Sequence, residues 1–442
     1  MQARLTDRGA VTRTHKMLLV IAAVGLALAG GGSVGAATSN PYGVHGGKAT
    51  PSLQKAVGSA WTASLLSWAE VEPTRGRYDF SKFDAAVNEQ AAAGVQMQFR
   101  VQTCAFTPGG APFWGTYPLP SGVTERSHGP CAQGVPRSQQ DWYDFVYTLV
   151  LHYKNFAHPV RLFGINNEVN DPGQWPGVSG RTACSTASCP VYTDYVTTLA
   201  TARKAAHAAN PGVVVLDAGL SSPTLGVAVT RAKYEAGGKS DSALKAAIQF
   251  LNQYFSYRHP PGKAPAYQYI NPNQSISQLR TQFTSTFYGT RTPQADRFYY
   301  FATHLYASGA MDAIQMHFYD YSPSIVTVLG FMHDHGGSSL PVYCWECGIK
   351  WPALDGKLYN YNPTLNVQFL QDKARLGFAN GMVQMLWLPM SWGAPPAKTD
   401  LEKDVPLVCG QWTSSAYAPG LCASGSTLTK VGVAFRNLTT AP

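Results

Sequence analysis

Two glutamates carry the chemistry this chain could do. Glu168 ends the run Phe163-Gly164-Ile165-Asn166-Asn167-Glu168, a short apolar strand that stops in a polar cluster. Glu346 lies much later, inside Pro341-Val342-Tyr343-Cys344-Trp345-Glu346-Cys347-Gly348. One carboxylic acid protonating a departing oxygen, and one carboxylate attacking or stabilising the carbon it leaves, form the pair that cleaves a glycosidic bond. In the retaining version the two groups stand about 5–5.5 Å apart. Residues so distant in sequence can meet that closely if both close parallel strands facing one cleft.

The elements needed to place them there can be read along the chain. Apolar strand-like runs cover 42–45, 62–68, 95–101, 160–165, 213–216, 313–318, 340–343 and 382–388. Helical spacing appears between them, as in 81–93, where Phe83, Ala86, Val87 and Ala91 share a face, Ser81 can cap and Gly94 ends the helix. Further helical patterns occupy 51–60, 138–153, 191–209 and 365–378. Eight strand–helix units with continuous apolar strands predict an α/β fold, a (β/α)8 TIM barrel. Glu168 then closes the fourth strand and Glu346 the seventh, nearly opposite each other. Between the fifth and sixth strands, residues 222–295 are too many for one crossover. They are expected to form an insertion on the active-site face, with one extra helix over 243–257 and a break at His259-Pro260-Pro261-Gly262.

Residues 1–37 read as a signal peptide. Arg4, Arg8, Arg13 and Lys16 precede an uncharged apolar run from Met17 to Gly30, and Val34-Gly35-Ala36 supplies small residues for cleavage. The run is shorter than the roughly 20 residues a spanning helix needs, so export is expected without stable membrane insertion. The barrel domain is expected over 38–442, with 393–442 as a cysteine-looped extension too short for a domain of its own. Hydrophobic residues make up 45 % and charged residues 13 %, which suits a large core and argues against disorder. The net charge of +9 is not gathered into any Lys/Arg-rich run, so nucleic-acid binding is not indicated. A monomer is expected.

Eight cysteines in an exported chain suggest disulfides. Proximity suggests Cys104–Cys131, Cys184–Cys189 and Cys409–Cys422. Cys344 and Cys347 are harder to pair, because three steps along an extended strand put two side chains on opposite faces, which opposes a bond unless the chain turns sharply. Their CxxC spacing has no second CxxC or histidine pair to complete a metal site.

Asn167-Glu168 after an apolar fourth strand, with Glu346-x-Gly348 closing the seventh, resembles the clan A glycoside hydrolases. The segment Ser67-Trp68-Ala69-Glu70-Val71-Glu72-Pro73-Thr74-Arg75-Gly76-Arg77-Tyr78-Asp79-Phe80 is similar to the stretch after the second strand in families 39 and 42. His317-Phe318-Tyr319 resembles the His-x-Tyr of family 5, and Trp387 the eighth-strand tryptophan that often floors the sugar site. The resemblance implies Glu168 as general acid and then base, with a raised pKa, and Glu346 as nucleophile, kept ionised by donors such as Tyr319 or Arg100. It implies Asn167 on the substrate 2-hydroxyl, with His317 and Trp387 binding and orienting the sugar. No metal or organic cofactor is required.

Arg100 can equally be read as pairing a barrel carboxylate, and Asp217 and Asp320 are spare strand-end acids. Trp345 and Cys347 beside Glu346 depart from the small or polar neighbours the nucleophile usually has, and Asn166 also departs from the family pattern. The expected function is a secreted retaining O-glycoside hydrolase acting on polysaccharide or oligosaccharide. A catalytically silent carbohydrate-binding barrel and a transglycosidase using the same carboxylates are the alternatives.

Overall fold

The computed structural model describes residues 40–45, 51–104, 132–178, 180–255, 270–287, 292–349, 363–388 and 428–440. The chain divides into Met1–Ser39 and Asn40–Pro442, and all described residues belong to the second unit. The expected leader, the Cys409–Cys422 pairing, the 259–262 break and Cys131, the expected partner of Cys104, fall outside that description.

The strands are β1 (Tyr42–His45), β2 (Trp61–Ser67), β3 (Gln96–Gln102), β4 (Leu162–Ile165), β5 (Val214–Leu216), β6 (Ile314–Phe318), β7 (Val342–Cys347) and β8 (Met382–Trp387). They form one eight-stranded sheet in the order β5-β4-β3-β2-β1-β8-β7-β6. Every pairing is parallel. Parallel bridges Leu216↔Ala313 and Leu220↔Met316 join the two edges, so the sheet closes on itself and leaves no open strand edge. This is a (β/α)8 TIM barrel.

Two apolar layers hold it. Inside the barrel, Ala63, Leu162, Leu216, Ala313, Trp345 and Leu386 form a small cluster. Outside it, Phe99, Phe163, Val215, Met316, Phe318, Cys344 and Met385 belong to the larger core shared with the helices. The two sets alternate along each strand, as the period of two requires. Helix Gln139–Lys154 shows how the outer layer is built. Ser138 accepts the N–H of Asp141 at 3.1 Å and caps the start. Trp142, Phe145, Leu149 and Tyr153 then repeat at helical spacing and are fully buried. Each contributes about 1.5–3 kcal/mol by leaving water.

Three features differ from the sequence expectation. At the start of helix Ser81–Ala92, Asp79 rather than Ser81 supplies the accepting oxygen, taking the N–H of Ser81 at 2.9 Å. The stretch between β5 and β6 holds not one extra helix but a series: Ser222–Ala236, Asp241–Phe255, Ile276–Phe287 and Thr292–His304. A C-terminal helix, Lys430–Thr440, buries Val431, Ala434 and Phe435 and sets the Phe435 ring edge-on to Tyr42 of β1. Its polar surroundings in sequence hid its apolar face.

Candidate active site

Glu168, Glu346, His317, Tyr319 and Arg100, all singled out in the sequence, meet at the C-terminal ends of the strands. Arg100 follows the inward parity of Gln98 on β3, and its Nη2 lies 2.7 Å from Glu346 Oε1. His317 ends the inward series of β6, and Tyr319 follows two residues on. The Tyr319 hydroxyl donates to Glu346 Oε2 at 2.7 Å. His317 Nδ1 is 2.9 Å from Glu168 Oε1 and 3.4 Å from Glu346 Oε2. One imidazole therefore stands between the two carboxylates. Glu168, His317 and Glu346 present oxygen and nitrogen atoms all within 4.8 Å of one another.

Glu168 reaches this position through unusual backbone. Asn166 has φ 67° and Glu168 has φ 43°, the left-handed region that costs an ordinary L-residue about 1–2 kcal/mol. Asparagine tolerates it; glutamate rarely adopts it. Surrounding hydrogen bonds hold the turn. Asn166 Oδ1 accepts from the Thr103 N–H and hydroxyl, both at 2.9 Å. Gln133 Oε1 accepts the Asn167 N–H at 2.9 Å, and its amide nitrogen donates back to the Asn167 carbonyl. Behind the turn, the buried Arg297 guanidinium donates to the carbonyls of Val169 at 2.7 Å and Trp175 at 2.5 Å.

Glu346 reaches its position through a broken strand. Along β6 the register runs Met316↔Cys344 and then His317↔Glu346, so β7 advances two residues against one. Against β8 it runs Cys344↔Met385 and Cys347↔Trp387, three residues against two. Both neighbours report one extra residue, a β-bulge around Trp345. Strict alternation after the inward Tyr343 and Trp345 would aim Glu346 outward. The bulge turns it back inside, so two consecutive side chains face the barrel.

The electrostatics of the two carboxylates differ. Burial by itself would raise the Glu346 carboxyl. His317, the Arg100 guanidinium, His45 and the Tyr319 hydroxyl outweigh it and hold Glu346 well below the usual carboxylate range. Glu346 is buried, whereas Glu168 is only partly so. Gln315 fixes the imidazole between them. Its Nε2 donates to the Ala218 carbonyl at 3.1 Å and faces His317 Nε2 at 2.8 Å. With the Gln315 amide nitrogen facing Nε2, the neutral tautomer that satisfies both contacts carries its proton on Nδ1, toward Glu168. Gly219, at φ 64°, backs the ring so closely that a Cβ there would lie 2.4 Å from His317 Nε2.

The same three groups are a conceivable ligand set for a cation. Their donor atoms are already spent on one another, however, and the Arg100 guanidinium supplies the positive charge.

Other expected residues are placed as follows. Asn167 is buried at the turn, and its Oδ1 has no hydrogen-bond partner among the described residues. Trp387 is fully buried in the large core cluster, in register with Cys347. Asp217 and Asp320 are fully buried. Burial pushes the Asp217 carboxyl up to about 7, opposed by the Gln315 N–H and by His317. That N–H lies 2.5 Å from Asp217 Oδ1.

Sequence reasoning passed over His45, Gln102, Gln133, Gln315, Arg297 and Lys373. Two of them had a signal. Gln315 precedes His317 by two residues and Gln102 follows Arg100 by two, so strand alternation puts each on its neighbour's face. Gln102 is buried, yet neither of its amide atoms has a partner among the described residues. Arg297 and Lys373 lie on helices and act through backbone carbonyls, which leave no mark in sequence. Lys373 ties the Phe318 carbonyl, at 3.4 Å, to that of Gly348.

Disulfides join Cys184 to Cys189 and Cys344 to Cys347. The second corrects the parity objection, since the bulge is the sharp turn that objection left room for. Among the described residues, no helix is long and apolar enough to cross a membrane.

No protein-family model matches the chain, and no curated protein matches it. Solved structures do. The exo-β-1,4-mannosidase Op5Man5 from Opitutaceae bacterium strain TAV5 is 14 % identical with a TM-score of 0.48, over 90 % of this chain and 59 % of its own. A family 39 glycoside hydrolase from Bacteroides cellulosilyticus WH2 is 12 % identical with a TM-score of 0.47, over 90 % of this chain and 63 % of its own. The GH5_18 from Bifidobacterium longum subsp. infantis is 12 % identical with a TM-score of 0.46, over 90 % and 78 %. This chain thus spans about three-fifths of the length of the first two.

Proposed function

We propose that this chain is a retaining O-glycoside hydrolase, with Glu346 as nucleophile and Glu168 as acid and then base. The observation that carries the reading is that an oxygen of Glu168 and an oxygen of Glu346 lie within 4.8 Å of each other at the barrel mouth. That spacing fits direct attack. An inverting enzyme needs about 6.5–9.5 Å to admit a water.

In this reading each carboxylate has its own step. Glu346, ionised under Arg100 and Tyr319, attacks the anomeric carbon as the bond to the leaving oxygen breaks. Glu168, partly exposed and hydrogen-bonded by His317, gives that oxygen its proton. A glycosyl ester on Glu346 results. Glu168, now a carboxylate, takes a proton from water as the water attacks the same carbon and returns Glu346 to its free form. His317 touches both carboxylates and holds them in register while charge moves from one to the other. In the same reading the Asn167 amide contacts the substrate 2-hydroxyl, a contact that strengthens in the transition state. Trp387, fully buried and in register with Cys347, remains the proposed floor of the sugar site. The basic and apolar leader and the disulfides support an exported enzyme acting on polysaccharide or oligosaccharide.

The test is hydrolysis of a panel of glycans and aryl glycosides by wild type, Glu168→Gln and Glu346→Gln. Glu168→Gln is expected to lose about 10²–10⁴-fold on substrates with poor leaving groups and much less on activated aryl glycosides. A 2-fluoro glycoside of a substrate that wild type cleaves should label Glu346. Variants as fast as wild type would refute the reading.

A further inference from the structure

The mechanism leaves the Cys344–Cys347 pair unused, although it brackets Glu346. A regular strand rises about 3.3 Å per residue, so three steps would separate the two Cα atoms by about 10 Å. A disulfide accepts about 4.4–6.8 Å. Here the Cα atoms are 5.7 Å apart. The bond is thus incompatible with a regular β7 and compatible with the bulge. Its placement agrees, because both cysteines are fully buried in the outer core, on the face opposite Trp345. If β7 regularised, Cys347 would turn inward and Glu346 outward, away from Arg100 and Tyr319, since a one-residue slip reverses every following side chain.

We infer that the Cys344–Cys347 disulfide is a positioning element for Glu346, holding the bulge that turns this carboxylate into the cleft. The inference rests on the reading of Glu346 as nucleophile for its effect on rate, but not for its effect on geometry. Misplacement of a reacting group by about 1 Å costs about 100-fold. Opening the bond should therefore lower kcat about 100-fold while KM changes little, because sugar contacts made by other strands remain. A disulfide that only stabilised the fold would lower the melting temperature and leave kcat of the folded fraction unchanged.

The experiment compares wild type with Cys344→Ala/Cys347→Ala, each checked for folding by circular dichroism. Kinetics use whichever substrate wild type cleaves, and a crystal structure of the variant locates Glu346. The expected result is a folded variant with the kcat loss above and a Glu346 carboxylate no longer paired with Arg100. Treating the variant with a phosphine reductant should lower its kcat no further, which separates this bond from Cys184–Cys189. If the double variant does not fold, Cys347→Ser replaces it, read in the same way. A folded variant with wild-type kcat, or with Glu346 still on Arg100, overturns the inference. If wild type cleaves no glycoside, the proposed function fails on its own, and the crystal structure of the variant still decides the role of the disulfide.

Discussion

Tyr319→Phe isolates one donor on Glu346 without disturbing the packing around it. The Tyr319 hydroxyl donates to Glu346 Oε2 at 2.7 Å, and both residues are buried. A hydrogen bond to a charged group contributes about 1.5–3 kcal/mol. Since 1.36 kcal/mol is a tenfold change in an ionisation equilibrium, removing it disfavours the Glu346 carboxylate by about 10–100-fold. Arg100 remains on Oε1, so the variant keeps an ionised Glu346 at neutral pH. The phenyl ring keeps its contact with Gly348, where a Cβ would lie 2.9 Å from the Tyr319 ring. Two measurements follow from the sign. The carboxyl is depressed in the folded chain, so its stabilising effect is present above the unfolded carboxylate value and is lost as pH falls through the folded one. Tyr319→Phe should thus be less stable than wild type by about 1.5–3 kcal/mol at pH 7, with the gap closing in acid. Urea denaturation at a series of pH values reads this without any substrate. In parallel, the acid limb of kcat/KM should move to higher pH, because the nucleophile must be ionised in the free enzyme. An acid limb that stays in place, together with a stability gap independent of pH, would refute the claim that the hydroxyl acts on this ionisation.

Two further perturbations address the surroundings of the carboxylates. Gly219→Ala places a methyl 2.4 Å from His317 Nε2 at a φ of 64°. It should cost about 1–2 kcal/mol of stability through the backbone alone and lower kcat by displacing the imidazole; an unchanged kcat would mean that His317 does not hold the pair. Gln102→Leu removes a buried amide with no partner among the described residues, whose burial costs about 1–3 kcal/mol. The variant should be as stable as wild type or more so, while KM for a cleaved glycan rises. Lost stability would show that the amide is already satisfied in the free protein.

The barrel was readable because parallel strands covered on both faces leave continuous apolar runs, and β4 and β6 are buried at every position. The positions of Glu168 and Glu346 followed from counting those runs. Legibility failed where the chain departs from regular period. The seventh strand reads as ending at Tyr343, because Cys344-Trp345-Glu346-Cys347 has no simple alternation. In the structure the strand continues to Cys347 with an extra residue inside it. The first helix between β5 and β6, Ser222–Ala236, was missed because Pro223, which sits in its first turn, reads in sequence as a breaker with Gly226 soon after. Arg297 and Lys373 could not be found at all, since a side chain that binds carbonyls leaves no pattern among the residues it holds.

Two of the places where the local rules fail are where a carboxylate enters the cleft. At β4 the failure is dihedral, with Asn166 and Glu168 held at positive φ by Thr103, Gln133 and Arg297. At β7 it is one of register, with a bulge bracketed by a disulfide. A regular strand end would direct alternate side chains inward and leave each carboxylate wherever parity put it. Strain of about 1–3 kcal/mol per site persists only where surrounding contacts over-determine it. Here those contacts come from different parts of the chain: a loop glutamine, a helix arginine and a pair of cysteines. Each can be removed without touching a carboxylate. Glu168 and Glu346 are thus set by supports that can be perturbed separately, and loss of one support should displace one carboxylate while the other keeps its partners.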